Sequence, residues 1–317
     1  MHTVPGALRP VQVQAKPEIS VQIRDVLTRP VSEVETYLDG FVTSLPVPEN
    51  LRDAIRYALL GGGKRLRPVL AWYAAEALGS QGSASLPAGA AVELVHAFSL
   101  VHDDLPAMDD DDLRRGRPTL HKAYNEAMAI LAGDAKLNFA FTVLVERVHD
   151  SAVAIGLVRE LTIGTGGMIA GQVYDTLGGM PETYSNEAKL QLIHSNKTGA
   201  LIRASCRMGA MLGLMSTRAA QGDQRLIGIT AYADAIGLMF QIVDDILDVT
   251  STAEHLGKKT NKDADAGKMT YPGVLGLAAA NARVDSLLAE ALEAIAPLGP
   301  DAEPLRQLAR YMAVRTK

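Results

Sequence analysis

Residues 98–116 read FSLVHDDLPAMDDDDLRRG. Leu94, Phe98 and Val101 recur at helical spacing, so an apolar helix runs into this stretch. Pro106 predicts its end, because the residue before a proline avoids the α region. Six aspartates stand between positions 103 and 112, and Arg114 and Arg115 follow them. Carboxylates at a helix C-terminus oppose the helix dipole. Asp103 and Asp104 therefore need a positive partner. A weak echo lies at 240–248, FQIVDDILD, where a second apolar run arrives at Asp244 and Asp245. Asp244 and Asp248 are spaced i, i+4 and share a helix face. The echo predicts two facing helices that bring two carboxylate clusters together.

Working outward, helical periodicity dominates the chain. LRDAIRYALL (51–60) places Leu51, Ile55, Ala58 and Leu59 on one face, and GGGKR (61–65) breaks it. Pro68 suits the first turn of the next helix. Further helices are predicted near 88–104, 119–133, 134–149, 151–173, 185–215, 222–249, 273–296 and 301–314, with a polar loop over 250–272. No segment alternates like a strand. No Rossmann fingerprint is present, and GGGKR lacks the rest of a P-loop. The fold class expected is all-α, a single large helical bundle. Residues 1–20 read as a loose N-terminal tail, and 21–317 as one domain.

Composition bounds the function. The chain has 317 residues and a net charge of -5, which argues against a nucleic-acid partner. Its single cysteine, Cys206, excludes an intrachain disulfide and fits a reducing, cytoplasmic setting. Cys206 lies in an apolar stretch and reads as core packing. The first twenty residues lack the apolar region of a signal peptide. No stretch is expected to approach the roughly 20 apolar residues of a membrane span.

A solvated acidic surface explains Asp110, Asp111 and Asp112, but not Asp103 or Asp244, which directly follow apolar helical runs. Metal binding explains them better. Hard oxygen donors without paired Cys or His favour Mg2+, which takes one or two carboxylates and completes its shell with water and phosphate. His102 beside Asp103 could imitate a metal phosphohydrolase pair, but His96 is the only close second histidine and faces away. Lys64, Arg65 and Arg67 at the glycine-rich turn, Arg114 and Arg115, and Lys258, Lys259, Lys262 and Lys268 form three basic groups. Two acidic and three basic clusters suggest one metal-bound and one metal-free diphosphate.

This combination resembles the trans-isoprenyl diphosphate synthases. GGGKRLRP (61–68), HDDLPAMDDDDLRRGRPT (102–119), GQVYD (171–175), KTGAL (197–201), FQIVDDILD and GKKTNKDADAGKMTYP (257–272) stand in that family's order. Asn261 departs from it, at a position where glycine is expected. The resemblance implies Mg2+, about three ions per site, held by Asp103, Asp109 and Asp244, with Asp104 supporting and Asp245 and Asp248 acting partly through water. It implies that Arg114, Lys197 and Lys258 hold an allylic diphosphate. Lys64, Arg67, His96 and Arg115 would hold isopentenyl diphosphate, with Thr198 and Gln241 beside the reacting carbons. Arg315 and Lys317 would close over the site, and a homodimer is implied.

The expected reaction ionises the allylic substrate, joins it to isopentenyl diphosphate and loses a proton, with the departed diphosphate as base. Phe98 lies five residues before Asp103, roughly 7–8 Å along the helix at 1.5 Å per residue. Its ring would floor the pocket. With the LPAM spacer, this most resembles bacterial farnesyl diphosphate synthases. A geranyl or geranylgeranyl diphosphate synthase differs only in pocket depth. A terpene cyclase has no use for the GGGKRLRP site. A silent partner subunit should have lost aspartates that are intact here, and a phosphohydrolase would join no carbon chains.

Overall fold

The computed structural model describes residues 21–215, 222–254 and 269–315. Helices α1 (Val21–Thr28), α2 (Val31–Ser44), α3 (Glu49–Leu59), α4 (Leu66–Ala77) and α5 (Leu86–Asp103) come first. A short hairpin, β1 (Leu113–Arg114) and β2 (Arg117–Pro118), follows the aspartates. Then come α6 (Leu120–Ala123), α7 (Glu126–Arg147), α8 (Ser151–Thr176), α9 (Asn186–His194), α10 (Ala200–Leu214) and α11 (Gln224–Glu254). Helices α12 (Tyr271–Leu275), α13 (Leu277–Ala294) and α14 (Glu303–Val314) close the described chain. The expected all-α bundle is what the chain forms.

Helix α10 lies at the centre and packs against α4, α5, α8 and α11. One apolar cluster joins α4, α10, α11, α13 and α14, and another joins α2, α3, α5, α7, α8 and α10. Cys206 is buried in the first of these clusters, and burial pushes its thiol well above the ordinary value. It is a packing residue, as its apolar surroundings in the sequence suggested. Helices α5 and α11 do not face each other directly. They share α10 as a neighbour.

The expected break between 133 and 134 does not exist. Helix α7 runs through it, and the break falls earlier, where the Asn125 side chain accepts from the Met128 N–H as an N-cap. The predicted helix over 185–215 is interrupted by a π-turn at Ser195–Gly199. The membrane expectation also needs correction. Among the described residues, four helices are long and apolar enough to cross a bilayer by length and mean hydropathy, at 1.4 for Gly82–Asp103 and 1.7 for Gln224–Thr250. Isolated polar residues interrupt their apolar runs, while leucine, isoleucine, valine and alanine keep the mean hydropathy high. In the first and last of these, most of the apolar window is buried within the bundle.

Candidate active site

Helix α5 ends at Asp103, and the chain then folds back on itself. The Asp109 N–H donates to the Asp103 carbonyl at 2.8 Å, and Asp110 adopts a left-handed backbone with φ 50°. This turn carries Asp109 back beside the helix end. Burial pushes the Asp103 carboxyl up to about 6, with Lys197 opposing the shift and Asp109 adding to it. Asp244 on α11 is raised for the same first reason, burial, against the pull of Arg315. Burial thus disfavours the charged form of both carboxylates. Among the described residues, no three His, Cys, Asp or Glu side chains form a ready metal cage. That fits Mg2+, which needs only one or two carboxylates per ion when phosphate supplies the rest. Asp103, Asp109 and Asp244 are the residues that would hold it.

Proton and metal then compete for Asp103. Its raised pKa means that the proton is held more tightly than usual, so Mg2+ affinity should fall as pH drops through about 6. Calorimetric Mg2+ titrations at pH 5.5 and 7.5 test this; equal affinities would rule it out.

Asp104 plays a different part. It is 2% exposed, and both its oxygens accept from Arg114 Nε, at 2.7 and 3.0 Å. The pair braces the turn against β1 and leaves Asp104 no open face for a metal. Asp112, in contrast, is an exposed residue paired with Lys122, as a solvated acidic surface requires. On α11, Asp245 accepts from the Tyr271 N–H at 2.9 Å and lies 3.2 Å from His194 Nε2. It ties α9, α11 and α12 together. Asp248 and Gln241 are half-buried on the same helix. Arg315 reaches back from the end of α14, pairs with Asp244 at 2.7 Å and stacks over Phe240. Arg315 thus joins the second aspartate motif to the wall of the cavity described next. Lys258 and Lys317 lie outside the described residues.

The cations gather opposite. Gly61 to Arg65 form the turn into α4, and Arg65 is left-handed at φ 49°. Its guanidinium is buried and donates to Glu35 and Glu93, each at 2.6 Å, and to the Leu59 carbonyl. That network fixes a conformation a non-glycine residue disfavours. It aims Lys64 and Arg67 into a cavity of about 550 Å3, shared with His96, Arg115 and Arg315. Burial lowers the Arg67 pKa, and its Nε has no hydrogen-bond partner among the described residues. Burial and four arginines, Arg67 first, hold His96 well below its ordinary value, so its imidazole is neutral. Cations gathered on one cavity wall, more numerous than their carboxylate partners among the described residues, form a site suited to an anion.

A second cavity of about 520 Å3 adjoins it through Arg67 and His96. Asp103, Lys197 and Thr198 stand on its wall, as do Phe98, Met168 and Gln172. Lys197 and Thr198 ride on the π-turn, a helix irregularity common at functional sites. Asp175 on α8 holds the Lys197 ammonium at 2.6 Å. Lys197 and Thr198, both singled out by the KTGAL motif, line this cavity, whereas the residues that aim them carry no such signal. Glu93 on the cavity wall and Glu35, Asp175, His194 and Tyr271 behind it support the site, and only the glycines at 61–63 and 171 hinted at tight backbone.

Comparison with known proteins agrees with this geometry. Residues 48–299 match the family model for polyprenyl synthetase. The chain is 45% identical to geranylgeranyl pyrophosphate synthase 7, chloroplastic, of Arabidopsis thaliana, over 89% of this chain and 81% of that protein. It is 40% identical to a dimethylallyltranstransferase of Fischerella ambigua, over 94% and 85% of the two chains. The structure of an FPP/GFPP synthase from Zymomonas mobilis superimposes with a TM-score of 0.78 at 35% identity, covering 92% of this chain and 99% of that one. With two aspartate motifs, a cluster of cations on one cavity wall and a family match over most of its length, this chain belongs to the polyprenyl synthetase family.

Proposed function

We propose that the protein condenses isopentenyl diphosphate with dimethylallyl or geranyl diphosphate and stops at farnesyl diphosphate. One observation carries the reading: an apolar cavity has a half-buried carboxylate, Asp103, on its wall and joins a cluster of cations that outnumber their carboxylate partners among the described residues. The first half suits a metal-bound allylic diphosphate with its tail in the cavity. The second suits the metal-free diphosphate of isopentenyl diphosphate.

Bound Mg2+ would neutralise charge growing on the departing diphosphate. Lys197 stands beside Asp103 and adds a positive charge where that diphosphate leaves. The allylic C–O bond breaks and its carbon becomes cationic. Lys64, Arg67, His96 and Arg115 hold isopentenyl diphosphate so that its double bond faces this carbon. A C–C bond forms, and the proton lost from the isopentenyl unit goes to the released diphosphate. The neutral His96 suits a hydrogen bond to a phosphate oxygen. The apolar walls exclude water, which would quench the cation.

Phe98 sets where growth stops. It is 7% exposed and lines the same cavity as Asp103. Phe98→Ala should lengthen the product by one five-carbon unit, read by chromatography of the dephosphorylated products. An unchanged length would remove Phe98 as the floor. The name of the Arabidopsis relative favours a twenty-carbon product instead. Incubation with isopentenyl diphosphate and each allylic starter decides between them: fifteen carbons from both supports the farnesyl reading, and twenty supports the other.

The active unit is proposed to be a homodimer. Leu131 and Val145 on α7 and Ile155 and Ile163 on α8 are exposed, more than half of each in contact with solvent. Burying such residues against a second copy removes apolar surface from water. A monomer mass by light scattering would end this part of the proposal.

A further inference from the structure

Phe98 does not stand alone in the cavity wall. Its ring meets the His102 imidazole edge-on, with centroids 5.3 Å apart and planes at 86°. The two are spaced i, i+4 and share a face of α5. Both line the cavity. His102 is in turn held from α7. Its Nε2 lies 3.2 Å from the Ile130 carbonyl oxygen, a bond in which Nε2–H must donate. Asp134, one turn further along α7, stands 4.0 Å from the same nitrogen.

Gly133 makes the seat. A Cβ at this position would overlap His102 Nε2, Cδ2 and Cε1. Glycine in the middle of a 22-residue helix is disfavoured by helix propensity, so its presence needs a local reason. The imidazole supplies one. Without that ring, Phe98 would border an empty pocket, and its own ring could turn into it. With the ring in place, Phe98 has no such escape.

We infer that His102, seated on Gly133, is a specificity-determining residue: it locks the Phe98 ring across the cavity and so fixes product length. The inference rests on Phe98 being the floor. It assigns α7 a share in chain-length control, although α7 places no side chain of its own on the cavity wall.

Product length is the readout, since general loosening of the site lowers rate without adding a five-carbon unit. Wild type, Phe98→Ala, His102→Ala, Gly133→Ala and the His102→Ala/Gly133→Ala double variant would be assayed with Mg2+, isopentenyl diphosphate and geranyl diphosphate. His102→Ala is expected to lengthen the product by one five-carbon unit with Phe98 intact. Gly133→Ala should do the same by evicting the imidazole. Should Gly133→Ala fail to fold, the double variant carries the test, because the ring that the new methyl would strike is gone. Wild-type length in His102→Ala and in the double variant, beside a longer product from Phe98→Ala, would overturn the clamp and leave the floor standing. Wild-type length in Phe98→Ala would overturn the floor and the clamp with it.

Discussion

Gly171→Ala should lower kcat/KM by about 100-fold or more while leaving the protein folded and helical. Gly171 lies on α8, where that helix crosses the π-turn carrying Lys197 and Thr198. A Cβ at residue 171 would overlap the Lys197 N and Cα atoms and the Asn196 carbonyl carbon. All three are backbone, so no side-chain rotation can make room. Either α8 or the π-turn must move. The Lys197–Asp175 pair spans the same two elements at 2.6 Å and would be strained by any shift. A displacement of about 1 Å at positioned catalytic groups costs on the order of 100-fold in rate. Steady-state kinetics alongside circular dichroism would check this. A folded variant with wild-type kcat/KM would show that the π-turn position is not critical.

Lys136→Met should make the protein more stable at pH 6, and the gain should close as pH rises towards 10.5. Lys136 on α7 is fully buried and donates to the Ala97 carbonyl at 3.1 Å. Burial lowers its pKa from 10.5 to about 7, with the more distant Asp104 charge pulling slightly the other way. The folded state therefore holds this proton less tightly than the unfolded chain does. The destabilisation is complete below about 7, where both states are charged, and it fades as pH rises through the unfolded value. By linkage the difference is on the order of 3–5 kcal/mol at pH 6. Methionine fills similar volume without an ammonium to desolvate. The Ala97 carbonyl keeps its helical partner, so little is left unpaired. Chemical denaturation of both proteins at pH 6 and pH 9.5 measures the gap. No gain at pH 6, or a gain that does not shrink, would refute the reading.

The two predictions share a cause that bears on how legible this protein is. Gly171 and Lys136 act through elements distant in sequence. GQVYD was visible as a motif, but nothing in it says that residue 171 touches residue 197. Lys136 sits within a helical pattern and looks like an ordinary surface lysine until α7 packs on α5. Asp104 misleads for a similar reason. Adjacent to Asp103, it has the same chemistry, and only the hairpin that returns Arg114 separates a brace from an open carboxylate. Periodicity also misplaced the break before α7. An asparagine cap decides that boundary, and the apolar pattern runs across it.

By itself the sequence determined the helical class, the two aspartate motifs and the basic turn. Each is a local matter: spacing sets which side chains share a helix face, and carboxylates at the end of an apolar helix demand a cation. The tertiary structure decided which aspartates stay open, what aims Lys197, Arg67 and His96, and what stands behind Phe98. Those depend on burial and on distances between helices far apart in the chain, because a charge in a low-dielectric interior takes its state from whatever neighbour packing supplies.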